Sequence, residues 1–427
     1  MSLSYEELRD AVAGDVVGIR FRNVLEPLGG VSDKVFPPTY GGTDNAETRY
    51  AIETRYAPAE NGQESHAVRS VVLDSVASQA NRFELALLDA IRSDEIQVPV
   101  TSVDFRPIEG LAGLDRISDY EASHRIFDAL LRDSYDGEHL FRNGAAGVAV
   151  TSARPRDAAG LFHHSPHTLL FGGWDSTGPR GGLGAKYERA ITSEIVALGI
   201  ETGVRTASRI DMTGIQSQAG PLYLAPDGTW TLDETKAVHD EKTKKPKLLG
   251  SDKAADKGRP SQANLGNVTP NIDRKAGGVT AREIVGTTVI SFIQLRRLRF
   301  PTGPDGVPFE GAHRSIAELA AHVALATLGL AAMTLAFGEG FDLRSRCVLV
   351  TTTPSTFEAI GRDGVSARFD LTTSEALKLV TEAAEHAAAA DIPWRPGELS
   401  LRPSDRLVDL IKRSHQLSQA QIETGKP

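Results

Sequence analysis

Ser75, Ser78, Gln79 and Arg82 stand at i, i+3, i+4 and i+7 within VVLDSVASQANRFELALLDAIRS, Val71 to Ser93. On a helix that spacing gathers two hydroxyls, an amide and a guanidinium on one stripe. Donors of these kinds, with Asn81 beside them, suit phosphate or sugar oxygens; a stripe that meets only water is the plainer alternative. Three further groups carry similar chemistry. Arg20 and Arg22 alternate with Ile19 and Phe21 in GIRFRNVL, so they share one face of a first strand. Trp174, Arg180 and Lys186 interleave with glycines in FGGWDSTGPRGGLGAK, where a bare backbone can approach another molecule closely. Arg296, Arg297 and Arg299 end the apolar run TTVISFIQLRRLRF, and arginine makes bidentate phosphate contacts well.

Other chemistries find less support. No glycine-lysine pair is followed by Ser or Thr in the glycine-rich segment, so it lacks the triphosphate-loop pattern. Nor do its glycines open a helix directly after a strand, as the dinucleotide fingerprint requires. His163, His164 and His167 have no acidic residue at matching spacing and read as hydrogen-bonding groups; no metal or other cofactor is expected. Asp33, Asp44 and Asp175 lie in glycine-rich loops. Aspartate in such loops is commonly a turn former. Cys347 is the one cysteine, which excludes an intramolecular disulfide and a cysteine zinc cage; its strand-like surroundings suggest a buried structural thiol.

These groups need a scaffold, and the chain is long enough to supply it: 427 residues, 40% apolar and 24% charged, describe a globular protein with a sizeable core. Val72, Val76, Phe83, Leu87, Ala90 and Ile91 give the Val71–Ser93 helix a packing stripe beside its polar one. A second helix is expected from Ser118 to Arg132, opened by a Ser118/Glu121 capping box. Strands are expected at 18–25, 168–171, 192–204 and 347–353, a hairpin at 222–232 around Asp227-Gly228, and helices from 315, at 374–390 and at 405–420. The reading is one elaborated domain over residues 1–427, with 43–64 and 236–282 as inserted loops and a helix-rich part from 313.

Net charge is −9, but unevenly spread. From Lys236 to Arg282 eleven basic residues face five acidic ones, leaving +6 there and −15 elsewhere. This segment has few large apolar side chains and reads as a mobile basic insertion able to order on a polyanion. The start, MSLSYEELRDAV, lacks the basic and apolar regions of a signal peptide. The long apolar stretch Ile316–Phe337 contains Glu318 and His322, so a buried helix is expected rather than a membrane span. A cytoplasmic protein with no membrane partner is anticipated.

Several stretches together, VFPPTY (35–40), LDSVASQANRFE (73–84), HSPH (164–167), FGGWDSTGPRGGLGAK (171–186) and GGVT followed by LRRLRF, resemble the Csb-type RAMP backbone subunit of CRISPR Cascade complexes. This is the Cas-seven branch of type I-U, also called I-G, and the resemblance spans most of the chain from Arg20 to Pro301. It implies an α/β (α+β) fold: a modified RRM, or ferredoxin-like, palm with large insertions forming fingers and a thumb. It also implies several copies along one guide RNA in a helical filament, beside other Cascade subunits, with bases left exposed to pair with target DNA. Base pairing then reads sequence while protein holds the backbone, so no catalytic group is needed. By the same resemblance Ser75, Ser78, Gln79, Asn81 and Arg82 contact the guide, with Arg20 and Arg22 facing the same RNA. The segment around Trp174, Arg180 and Lys186 is a second candidate surface. A metal-dependent ribonuclease using a loop aspartate is the alternative, and either the glycine-rich segment or the basic insertion could be the thumb.

Overall fold

A computed structural model describes residues 3–41, 48–56, 65–178, 184–240, 243–250, 256–338, 340–352 and 356–424. Arg180 and Asp44, and Lys242 and Lys253 of the basic insertion, lie outside the described residues, as does most of the expected 43–64 loop. The fold is mixed α/β of the α+β kind.

Helix α1 (Tyr5–Ala13) begins at a reciprocal capping box between Ser4 and Glu7, a signal present in SYEE. It leads into β1 (Val16–Pro27), whose alternation buries Ile19, Phe21, Asn23 and Leu25 and leaves Arg20 and Arg22 exposed. The remaining strands of a nine-stranded sheet are β2 (Ile52–Tyr56), β3 (Ala67–Asp74), β4 (Ile191–Thr202), β5 (Val279–Ser291), β6 (Phe341–Arg344), β7 (Cys347–Thr351), β8 (Thr356–Gly361) and β9 (Ser366–Phe369). Their order is β6-β7-β1-β5-β4-β3-β2, with β8 pairing β1 and β9. Strand β1 runs antiparallel to β5, with Arg20 opposite Val289 and Arg22 opposite Thr287.

One face of this sheet is packed. Helices α2 (Val76–Arg92) and α3 (Gly311–Phe337) lie against each other, and α4 (Thr373–Ala389) packs on α3. Gly329 lets α3 approach closely, since a Cβ there would meet Ile290 Cδ1 of β5 at 3.0 Å. Helix α3 is long and apolar enough to span a membrane, but most of its apolar window is buried by the chain itself. Cys347 is likewise interior, and burial pushes its thiol up to about 11.

A second sheet joins distant parts of the chain. Glu398–Pro403 runs parallel to Val100–Asp104, with Arg116–Ser118 on one side and Ser134–Asp136 on the other.

By compactness the chain divides into two units: Met1–Gly42, Tyr50–Glu201 and Val279–Ser404 form the first, and Thr43–Arg49, Thr202–Gly278 and Asp405–Pro427 the second. In the second, Arg205–Arg209 pairs with Val268–Asp273, and Tyr223–Leu224 pairs with Trp230–Thr231 around a left-handed Gly228. Leu222, Leu224, Ala225, Ala237 and Pro260 make a small core. Helix α5 (Asp405–Thr424) closes the unit's sequence.

Four expectations need correction. The helix expected from Val71 starts at Val76, because Val71 to Asp74 pair with β4 as the end of β3. No continuous helix covers 118–132: the Ser118/Glu121 hydrogen bonds form (2.8 and 2.9 Å), but they close a turn. Arg125 at φ +53 then breaks the chain into single helical turns. Residues 168–171 are helical, following Pro166 at the first helical position. The segment 236–282 is not one insertion, since its end belongs to β5 and residues 268–273 pair with a strand 59 or more residues earlier.

Candidate nucleic-acid interface

The polar stripe of α2 is organised by a residue just before it. Asp74 is fully buried at the end of β3 and accepts hydrogen bonds from Ser78 Oγ (2.7 Å), Gln79 Nε2 (2.6 Å) and Arg82 Nε (2.9 Å). Arg344 adds a fourth bond at 3.3 Å. Ser75 is the N-cap, its hydroxyl accepting from Ser78 N. Gln79 is itself fully buried, its carbonyl oxygen taking a bond from Ser193, which also meets Thr288. The rest of the Arg82 guanidinium donates to the carbonyls of Asp342 (2.9 Å) and Leu343 (2.6 Å). Thus Ser78, Gln79 and Arg82 tie β3, α2, β4 and β6 together, and Asn81 alone of the five stands exposed. The signal missed in the sequence is Asp74 itself, an acid beside the cap of a donor-rich stripe.

The arginines after β5 divide in the same way. They follow a single helical turn, Phe292–Leu295. Arg296 is half-buried and donates to the carbonyls of Ala11, Val12, Gly14 and Val16 at 2.7–3.2 Å. Arg299 is exposed and bonds Glu318 at 3.0 Å. Arg297 is exposed and meets the exposed Glu188 at 3.1 Å.

Arg297 and Lys186 line one cavity of about 260 Å³, together with Tyr187, Glu188 and Gln294. Lys186 pairs across a two-residue ribbon with Trp174, a residue 55% exposed. The fold therefore brings Trp174, Lys186 and Arg297 into one neighbourhood, although the last is more than a hundred residues away in sequence. This neighbourhood offers a stacking surface and two cations. The base of the ribbon is anchored: Gly172, at φ +86, accepts from Arg125 at 3.0 Å, and Arg125 forms a two-point ion pair with the buried Glu84 of α2 at 2.6 and 2.7 Å.

Arg20 and Arg22 occupy the sheet face opposite the helices. Arg20 bonds Glu358 of β8 at 2.9 and 2.7 Å and holds its carboxyl below the usual range. Arg22 reaches Glu283 of β5 at 3.4 Å.

Of the loop aspartates, Asp175 is buried and paired with Arg142, and Asp33 accepts the backbone amide of Lys34 at 2.8 Å. Asp44 lies outside the described residues. His163 contacts the Pro393 carbonyl at 2.8 Å, and His167 stacks on Tyr120 with its pKa held well down by burial. Among the described residues no group of three or more His, Cys, Asp or Glu side chains could hold a metal ion.

Residues 19–202 match the model of CRISPR-associated protein GSU0053. The matched stretch runs from β1 through α2 and the Trp174–Lys186 ribbon to the end of β4, so it contains most of the donor groups described above. The likeness is thus to a CRISPR-associated protein and covers 184 of the 427 residues. No curated protein matches the chain.

Proposed function

We propose that the chain is a guide-RNA-binding backbone subunit of a Cascade-type effector complex, in the Csb-type RAMP branch, with a structural rather than a catalytic role and no cofactor. The observation that carries this reading is connectivity. Strand β1, helix α2, strands β4 and β5, helix α3 and strand β7 come in this chain order, with β2 and β3 inserted before α2 and β6 before β7, and their spatial order is β7-β1-β5-β4. This order supports reading them as the β-α-β-β-α-β frame of a ferredoxin-like palm, in a chain whose residues 19–202 match a CRISPR-associated family. The first unit is then the palm. The second suits the thumb: residues 202–278 hold twelve basic and nine acidic side chains. Just beyond its ribbon strand Ile210 and Met212 are 83% and 95% exposed, while Asp211 between them is fixed to Thr213 and Gly266. Such side chains serve as wedges between bases, as an apolar surface does in single-strand binding.

Within the palm, Trp174, Lys186 and Arg297 are the proposed guide contacts, with Arg20, Arg22 and Asn81 as exposed auxiliaries. Target DNA meets the protein through the guide, in the cytoplasm, beside further copies and other Cascade subunits.

The test is salt-dependent binding of the purified chain to single-stranded RNA. Each lost phosphate contact flattens the slope of log K against log[salt] by about 0.7, so Lys186→Ala with Arg297→Ala flattens it by about 1.4, equally for unrelated RNA sequences. Unchanged slope and affinity in the double variant would remove this surface. A native complex holding one copy of the chain, or none on its RNA, would remove the function.

A further inference from the structure

A groove on the first unit and a helix of the second have properties that match across copies. The groove lies between α2 and the C-terminal end of α3, encloses about 570 Å³, and has Leu85, Ala86, Leu335, Phe337 and Leu343 among its walls. Its rim is acidic, with Asp89, Glu95 and Asp342 all exposed. The one cation in its lining, Arg82, is bound to Asp74 and two carbonyls. Such a rim repels phosphate, so the groove suits a protein segment better than the guide.

Helix α5 carries Leu407, Leu410, Ile411 and Leu417 at helical spacing. Leu410 and Leu417 remain 65% and 56% exposed. In proteins most helical stability comes from packing an amphipathic face rather than from propensity. Arg406 and Arg413, seven residues apart, border the stripe on one side.

We propose that α5 of one copy lies in the α2–α3 groove of the next, its leucines against Leu85 and Leu335 and Arg413 toward Asp89 and Glu95. Donor and acceptor surfaces differ, so the contact is head-to-tail and need not close, which is the geometry of a filament. The inference rests on the proposed self-assembly along the guide, but not on any particular RNA contact.

Two full-length variants test it, both changed only at exposed positions: Leu410→Asp with Leu417→Asp spoils the helix, and Leu85→Asp with Asp89→Lys spoils the groove. Oligomer mass is read by analytical ultracentrifugation, with and without RNA, and binding to an RNA too short for two copies is read separately. Each variant alone should need about a hundredfold more protein to assemble, from the lost burial of two leucines or their counterpart. Their equimolar mixture should give dimers, because one intact helix and one intact groove remain, and short-RNA binding should be unchanged. Assembly of either variant at wild-type concentrations would overturn the proposal; for the groove variant it would indicate helix-to-helix pairing. Loss of short-RNA binding in the wild type would strike the RNA-binding function instead, leaving the RNA-free assembly result to decide the groove.

Discussion

The polar stripe of α2 and the surface around Lys186 and Arg297 present the same kinds of donor and use them differently. On α2 the acceptor, Asp74, is fully buried, so its charge is tolerable only with Ser78, Gln79, Arg82 and Arg344 bound to it. Around Arg297 the acceptor is an exposed Glu188, and water can replace either partner at little cost. What separates a structural donor from an available one is therefore the burial of its acceptor. Arg296, held by four carbonyls, falls on the first side; Arg20 and Arg22, themselves nearly half exposed but bonded to the mostly covered Glu358 and Glu283, lie between the two.

The hardest test of that division is Asp74→Ala. Removing one member of a buried ion pair strands the others and typically costs about 3–5 kcal/mol. Urea unfolding should show a loss of that size, while RNA affinity, measured where the variant is still folded, changes little. A loss below about 1 kcal/mol, the range of exposed pairs, would mean that the Asp74 network is dispensable and would return Ser78 and Arg82 to the pool of available donors.

The division also marks what could be read from the chain alone. The alternation of β1, the hairpin at Asp227-Gly228 and helices α3, α4 and α5 are local patterns, and each appears where its pattern predicts. The start of α2 was not legible, because Val71, Val72 and Leu73 suit a strand and a helix equally and their pairing with β4 decides. The same limit applies to the site. Exposed Arg20 and Arg22 follow from a period of two. The fate of Arg82 depends on the carbonyls of Asp342 and Leu343, some 260 residues away, and no spacing rule reaches that far. Grouping Trp174 and Lys186 with Arg297 likewise needed the fold.

A buried carboxylate that, among the described residues, no direct Arg or Lys hydrogen bond is seen to hold sharpens the comparison. Asp119 is fully buried and accepts from Thr101 N (3.0 Å) and Ser165 Oγ (3.0 Å), and burial pushes it up to about 7. Its unfolded value is about 4, so between these values the folded chain holds a proton that the unfolded chain releases. The resulting stabilisation is complete below the unfolded value and is lost as pH rises through about 7. Unfolding free energy should therefore fall from about pH 4 to about pH 7 and level off above it, by at most about 1.4 kcal/mol per pH unit for this group. Glu84, also pushed up to about 7 by burial, acts in the same direction. Asp119→Asn should make the fall shallower; an equally steep fall in that variant would assign it elsewhere.

The smallest effect is expected on the open sheet face. Arg20 and Glu358 are bonded at 2.7 Å, more closely than either arginine bonds Asp74, yet the Arg20 side chain is nearly half exposed. Exposed pairs contribute about 0.2–1 kcal/mol in double-mutant cycles. Arg20→Ala, Glu358→Ala and the double variant should thus give a coupling within that range by urea unfolding. The two single variants should differ in RNA binding. Removing Glu358 frees Arg20 for phosphate and should hold or raise affinity, whereas removing Arg20 should lower it. Arg368, which reaches Glu358 at 3.4 Å, would be freed together with Arg20, so the gain should persist in part when Glu358→Ala is combined with Arg20→Ala. A coupling above about 2 kcal/mol, well outside the exposed range, would show that short distance outweighs exposure on this face. The rule drawn from Asp74 and Glu188 would then have to be rewritten around geometry.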